Sequence, residues 1–218
     1  MSSQADISLA ERPGKGRGTL MALGIAVAVL AAMVMDTKVV RIGAETAAGD
    51  GAFSAKTYGE EQFPIIQGSV EARAVEAGEL AAAVAEDKAA AGEQYGVPAG
   101  IGPVMPVTFT GVAGEGRSGI YEIDVEGVPD ELTIRVQTGP AINGTDLRDA
   151  TGTIEFGQFT NQIEYQNAGA AINDAMKAEV LSSIDTSALP GSTLSVTGVF
   201  KLINPKNWLV TPVRLSVK

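Results

Sequence analysis

The chain has 218 residues, 45% of them hydrophobic, and a net charge of −10 from 16 basic and 26 acidic side chains. It contains no cysteine and no histidine, which excludes disulfides, thiol catalysis, thiolate metal sites and the Ser-His triad. The length corresponds to one folded domain plus a short extra segment, and the acidic surface repels phosphate backbones, so we expect no nucleic-acid partner.

An uncharged apolar run, Thr19–Met35, follows the basic residues Arg12, Lys15 and Arg17. Its seventeen residues would form a helix of about 26 Å, slightly short for a ~30 Å hydrocarbon core. The basic flank predicts a cytoplasmic N-terminus. We therefore predict a single-pass inner-membrane protein, with a disordered cytoplasmic tail over 1–18, a transmembrane signal anchor over 19–35 and a periplasmic domain.

Two alternatives remain for this run: a cleaved signal peptide and a buried core helix. Small residues that resemble a signal-peptidase site first occur at Thr46–Ala48, more than ten residues beyond the run. Uncharged runs of this length are rare in soluble domains. The sequence favours the uncleaved anchor over both alternatives.

The segment between the apolar run and the domain, 36–62, is rich in Gly and Ala and is predicted to be a linker. From Phe63 to Gln94, apolar residues recur at roughly helical spacing with acidic residues between them. This pattern predicts an amphipathic surface helix, interrupted at Gly78 and ended by Tyr95–Pro98. The predicted periplasmic domain therefore spans 63–218 and begins with this helix.

Beyond Pro103 the hydrophobic period changes to two, which is typical of half-buried strands. Five segments alternate in this way: Val107–Phe109, Tyr121–Val125, Leu132–Val136, Leu194–Leu202 and Leu209–Val217. Gly198 lies where a bulge would fit in the fourth segment. Residues 168–183, with Asn167 as N-cap, are predicted to form a helix between the third and fourth strands. This mainly β order with added α-helices predicts a five-stranded OB-like barrel.

The connection over 139–166, between the third strand and the helix, is rich in hydrogen-bonding side chains. The candidate ligand-binding residues in it are Asn143, Thr145, Arg148, Asp149, Asn161, Gln162, Glu164 and Tyr165. Amides, carboxylates and a guanidinium beside aromatic rings suit the hydroxyl groups of a sugar or polyol. Alternatively, the same groups form an internal network that only stabilises the fold.

Catalysis is less favoured than either interpretation of this segment. We predict that the protein is not an enzyme and that it uses no cofactor and no metal. Asp149 and Glu164 could serve as the acid/base pair of a hydrolase if their carboxyl groups lie within about 5–10 Å of each other. The hydrolase therefore stays as the weaker alternative.

Four motifs in the chain are TGP (Thr138–Pro140), GTDLRDA (Gly144–Ala150), FTNQIEY (Phe159–Tyr165) and TPVRL (Thr211–Leu215). Together they resemble a bacterial family of predicted periplasmic lipoproteins of unknown function (domain of unknown function 2291). The resemblance implies an OB-like periplasmic domain, and it carries over no catalytic residues. Because members are often encoded beside sugar or polyol ABC-transporter genes, it also implies a carbohydrate-transport accessory role.

The chain departs from this family at one point. The family usually has a lipidated cysteine just ahead of a segment like Lys38–Ile42, where this chain has Met35–Thr37. We therefore expect a membrane-anchored periplasmic binding or accessory domain, held to the inner membrane through Thr19–Met35. The expected partners are a sugar or polyol ligand and ABC-transporter components, and a structural cell-envelope scaffold is the alternative function.

Overall fold

The structure, a computed structural model, describes residues 53–218, and within this range it contains five α-helices and six β-strands. The helices are α1 (Ala55–Arg73), α2 (Ala77–Glu86), α3 (Lys88–Tyr95), α4 (Asp146–Asp149) and α5 (Gln162–Met176). The strands are β1 (Val75–Glu76), β2 (Val104–Arg117), β3 (Ile120–Val125), β4 (Thr133–Gln137), β5 (Thr193–Lys201) and β6 (Asn207–Val217). Short 3-10 turns occupy Phe156–Gln158 and Thr186–Ala188, and a π-helical turn, Lys177–Leu181, follows α5.

Helix α1 begins at Ala55 because Ser54 caps it: the Ser54 hydroxyl accepts a hydrogen bond from the Thr57 amide at 3.4 Å. The predicted start was Phe63, so the last part of the predicted linker is helical. The buried face of α1 carries Phe63, Ile66 and Val70 at helical spacing.

The single surface helix predicted over 63–94 is three helices in the structure. The short strand β1 separates α1 from α2, and Asp87 starts α3 by accepting hydrogen bonds from the Ala89 and Ala90 amides at 2.8 and 3.1 Å. The chain leaves α3 at Tyr95, where the sequence predicted an end. The chain therefore breaks twice: at β1, two residues before the interruption predicted at Gly78, and at Asp87, which was not predicted. At Asp87 the carboxylate satisfies amides that a continuous helix would bond internally.

The six strands form one mixed sheet in the order β1-β2-β3-β4-β6-β5, and β2 also pairs with β5. The β1–β2 and β4–β6 pairs are parallel, and the other pairs are antiparallel. The register between β5 and β6 shifts between Thr197 and Gly198, which confirms the irregularity predicted there. Parallel pairing of β4 with β6 aligns Thr133 with Asn207 and Arg135 with Leu209, on the outer face of the sheet.

Aromatic and aliphatic side chains from the sheet, α1 and α5 form much of the hydrophobic core. Trp208 and Phe200 are fully buried and stack with ring centroids 4.3 Å apart. Helices α1 and α5 pack closely because Gly59 faces the Ala171 backbone, where a β-carbon would collide. This packing holds α5 against α1, and four of the eight predicted site residues, Asn161, Gln162, Glu164 and Tyr165, lie at the N-terminal end of α5.

Helix α5 lies in the predicted interval between the third and fourth predicted strands, but it starts six residues earlier than predicted. Asn161, and not Asn167, is its N-cap, and its side chain accepts a hydrogen bond from the Glu164 amide at 2.9 Å. Glu164 in turn accepts from the Thr160 amide at 2.9 Å. This reciprocal arrangement resembles a capping box and explains the start of the helix.

The predicted fold, a five-stranded OB-like barrel with a transmembrane helix, is wrong. The structure has a six-stranded mixed sheet, in which β1 and the parallel β4–β6 pair were not predicted. Alternation within a strand reveals its buried face but not its neighbour, and the two residues of β1 are too few to alternate. Across residues 53–218 no helix has the length and apolarity to cross a membrane. The predicted tail and the anchor over Thr19–Met35 lie outside the described residues.

Candidate ligand-binding site

A loop over residues 138–146 folds back onto the outer face of the sheet and is held there by Gln137. The Gln137 side chain is buried and donates from Nε2 to the Asn143 carbonyl at 3.1 Å and to the Thr211 hydroxyl at 2.9 Å. Its Oε1 accepts from the Asn143 amide at 2.9 Å. Because every polar atom of this buried amide group has a partner, the loop has a defined position over β4 and β6.

Behind this loop, Arg148 and Asp149 form the centre of a charged network. Arg148 donates to Asp149 Oδ1 from Nε at 2.9 Å and from Nη2 at 2.8 Å. Asp149 Oδ2 accepts from the Thr145 hydroxyl at 2.8 Å and from Lys201 Nζ at 3.2 Å. Lys201 Nζ also lies 3.6 Å from Asp146 Oδ1. The four charged side chains are 10–18% exposed, so their mutual attraction is little screened by solvent.

Tyr165 completes the network from helix α5. The Arg148 guanidinium carbon lies 3.8 Å from the centroid of the Tyr165 ring, a cation–π contact. The Tyr165 ring also packs against Phe156 and Phe159, with centroids 5.6 and 5.3 Å away. Phe159 continues the cluster to Tyr58 on α1. Arg148 is therefore fixed by a carboxylate on one side and by an aromatic cluster on the other.

Burial raises the pKa of Asp146 above its ordinary value of 3.8, the nearby Lys201 opposes this shift and the nearby Asp149 adds to it. The folded protein therefore holds the Asp146 proton more tightly than the unfolded chain. This contribution to stability is complete below the unfolded pKa and is lost as the pH rises through the higher pKa of the folded state.

Asp146→Asn is neutral at every pH, so its stability relative to the wild type is expected to increase as the pH rises from about 4 to about 7. Urea unfolding of both proteins at a series of pH values measures this difference. Asp130→Asn, on an exposed turn, is the matched control. A wild-type–variant difference that stays constant across the series would contradict the assignment.

The charged network borders an open groove of about 580 Å³ on the outer face of β4 and β6. Arg135, Asp146 and Lys201 are its charged lining residues. Asn143, Thr145, Asn204 and Asn207 supply further polar groups, and Ile203 and Leu209 supply apolar surface. The Arg135 Nη2 donates to Asn207 Oδ1 at 2.6 Å. Polar groups around a concave apolar floor are typical of small-molecule sites.

The structure divides the predicted site residues among three places. Asn143 and Thr145 line the groove, and Arg148, Asp149 and Tyr165 belong to the network behind it. Asn161 and Glu164 cap helix α5, and Gln162 is the exposed first residue of that helix. The predicted set is therefore partly a groove and partly a structural network.

Six polar groove residues were not among the predicted candidates: Arg135, Gln137, Asp146, Lys201, Asn204 and Asn207. Arg135 carried a usable signal, because it is the one charged side chain of β4 and lies between the buried residues Ile134 and Val136. Lys201 ends β5, more than fifty residues beyond Asp146, and only the tertiary fold brings them together. No local pattern in the sequence reports such a pair.

Both carboxylates of the hydrolase hypothesis are already engaged. Asp149 accepts from Arg148, Thr145 and Lys201, whereas Glu164 accepts from the Thr160 amide. In this arrangement Glu164 serves the helix end, and Asp149 is a partner of two cations. The acid/base pair stays a prediction from sequence.

Among solved structures, an OB-fold protein from Thermotoga maritima is similar, with a TM-score of 0.61 and 20% sequence identity. The match covers 77% of this chain and 99% of that protein. At this identity the likeness concerns the fold alone. No curated protein matches the chain.

The sequence model of a family described as predicted periplasmic lipoprotein (DUF2291) matches residues 24–216, which confirms the resemblance stated above. A lipoprotein is anchored by its lipid, so this description conflicts with the predicted single-pass inner-membrane protein with a cytoplasmic N-terminus. That predicted localisation is therefore wrong. Because the match spans most of its length, the chain belongs to this family of predicted periplasmic lipoproteins, whose function is unknown.

Proposed function

We propose that the protein is a periplasmic binding module for a small hydroxylated ligand, such as a sugar or polyol. The carrying observation is the groove on β4 and β6, where amide and hydroxyl side chains surround a floor that includes Leu209. Asn143 makes no side-chain hydrogen bond within residues 53–218, so its amide is available to a ligand. Side-chain amides both donate and accept, which suits hydroxyl groups.

The rigidity of the groove wall supports the same proposal. The loop over 138–146 is fixed by Gln137, and α4 is fixed by the contacts of Asp149 with Arg148 and Lys201. A pre-ordered wall reduces the conformational entropy lost when a ligand binds. The network that the sequence offered as an alternative to a site thus acts as its support.

Isothermal titration of the full chain against a panel of sugars, polyols and sugar acids tests this proposal. We expect heat with at least one member, and we expect Leu209→Trp to abolish it, because the indole would fill the floor of the groove. Val112→Trp is the matched control, since Val112 is an exposed strand residue outside the groove. Absence of heat with every member would contradict the proposal.

A structural envelope protein is the second candidate function. It is favoured by the observation that Arg148, Asp149, Asn161 and Glu164 satisfy one another or the nearby backbone. For a structural protein, no member of the ligand panel would bind, and Leu209→Trp would not change which partner proteins are recovered.

The proposed association with ABC-transporter components is tested by crosslinking and pull-down of the full chain from intact cells. The Leu209→Trp variant is treated in the same way for comparison.

A further inference from the structure

Of the three charged groove residues, Asp146 and Lys201 pair with each other, whereas Arg135 has no oppositely charged partner among the described residues. It projects from the outer face of β4, and within residues 53–218 it forms no ion pair. Its cross-strand neighbour on β3 is Glu122, yet its guanidinium bonds to the neutral Asn207 amide. In a chain of net charge −10, this arginine lines a groove without a carboxylate partner among residues 53–218.

The hydrogen-bonding capacity of Arg135 is largely unused. Only Nη2 has a partner within the described residues, and Nε is buried without one. Nη1 makes no hydrogen bond to any residue from 53 to 218. A guanidinium offers five N–H donors in a planar fork that matches a carboxylate.

The neighbouring amides add donors on the same side. Asn207 and Asn204 each accept through Oδ1, from Arg135 and from the Lys206 amide. Within residues 53–218 their NH2 groups have no acceptor. Because Arg135, Asn204 and Asn207 all line the groove, these unused donors suit a ligand that presents oxygen acceptors.

The charge of the lining limits the charge of that ligand. Arg135 and Lys201 are cationic and Asp146 is an acid, so the lining carries a single positive charge when Asp146 is ionised. Lys201 is already shared between Asp146 and Asp149, which leaves Arg135 as the available cation. A single negative charge matches this site, whereas a dianion would face Asp146 without a second available cation.

We propose that the ligand is a hydroxylated monocarboxylate, of the sugar-acid or hydroxy-acid class, with its carboxylate on Arg135. This inference rests on the proposed binding function and specifies its ligand class. Nη1 and the Asn207 amide donate to the carboxylate, and Asn143, Thr145 and Asn204 contact its hydroxyl groups.

Matched ligand pairs test this inference by isothermal titration of the full chain. Gluconate and glucitol differ chiefly in the carboxylate, as do glucuronate and glucose. We expect the acid of at least one pair to bind about tenfold or more tightly than its neutral partner, because a charge-assisted bond to arginine is lost in the neutral compound. Raising the ionic strength should narrow the gap, since Arg135 is open to the groove.

Two variants test whether Arg135 is the cause of the tighter binding of the acid. Arg135→Gln removes the cation, and Asn207→Asp supplies an internal carboxylate that competes for it. Each should bring the acid's affinity down to that of its neutral partner. Arg117→Gln, at an exposed position on β2, is the matched control and should retain the preference. Circular dichroism verifies folding, and Asn207→Asp keeps the test open should Arg135→Gln fail to fold.

The outcomes separate the two proposals. Neutral members that bind as tightly as their acids, or a preference that survives both variants, would overturn the monocarboxylate inference and leave the binding module standing. No binding of any panel member would overturn both. An acid preference that Arg135→Gln and Asn207→Asp remove, and Arg117→Gln retains, is the expected result.

Discussion

Arg148→Ala is expected to destabilise the domain by about 3–5 kcal/mol, the usual effect of breaking a buried ion pair from one side. The substitution removes two hydrogen bonds to Asp149 and the contact with the Tyr165 ring. It also leaves Asp149, which is 13% exposed, with Lys201 as its only cationic partner among residues 53–218. For a domain of this size the melting temperature should fall by roughly 6–20 °C, measured by calorimetry or circular dichroism.

Arg214→Ala is the matched control for this experiment. Arg214 pairs with Glu71 at 2.7 Å, but its side chain is 63% exposed. Solvent screening should keep the cost below about 1 kcal/mol. Equal effects of the two substitutions would show that the Arg148 network contributes no more than a surface pair.

Gly119→Ala is expected to cost about 2–5 kcal/mol and to abolish ligand binding. Gly119 has φ of +73°, and a β-carbon there would collide with the Gly139 carbonyl oxygen. Its own carbonyl accepts from the Thr138 amide at 2.7 Å and from the Thr138 hydroxyl at 3.1 Å. The substitution therefore adds backbone strain of about 1–2 kcal/mol to a displacement of the loop that forms the groove wall.

Gly127→Ala separates these two contributions. Gly127 has φ of +81°, but a β-carbon there would have no atom within 4 Å. It should therefore show only the strain of about 1–2 kcal/mol and retain ligand binding. Urea unfolding and titration of both variants measure the difference, and a Gly127→Ala protein as unstable as Gly119→Ala would exclude the collision as the cause.

The strands were the part of the fold that the sequence predicted best. Alternation places Ile134 and Val136 inside and Arg135 outside, because side chains of a strand point to opposite faces. Which strands pair with each other was harder to predict, because β4 and β6 pair in parallel although about seventy residues separate them in the chain. The predicted first residues of two helices were wrong because their N-caps, Ser54 and Asn161, were overlooked. The spacing of Asn161 and Glu164 was a readable capping signal.

The site was predicted in part for a related reason. Sequence analysis identified Arg148, Asp149 and Tyr165 because polar and aromatic residues are concentrated in one connection. The groove in front of them also needs Arg135 and Asn207, which come from two strands that meet only in the folded protein. Composition of one segment can reveal a cluster, but a cavity requires the distances between segments.

The ladder between β2 and β5 has a consequence for behaviour at high concentration. It gives each of the five longer strands hydrogen-bonded neighbours on both sides, from β3 and β4 around to β6. Unpaired strand edges are what recruit other chains into intermolecular sheets. Along the stretches that are paired on both sides, aggregation by strand addition should therefore require the sheet to open first.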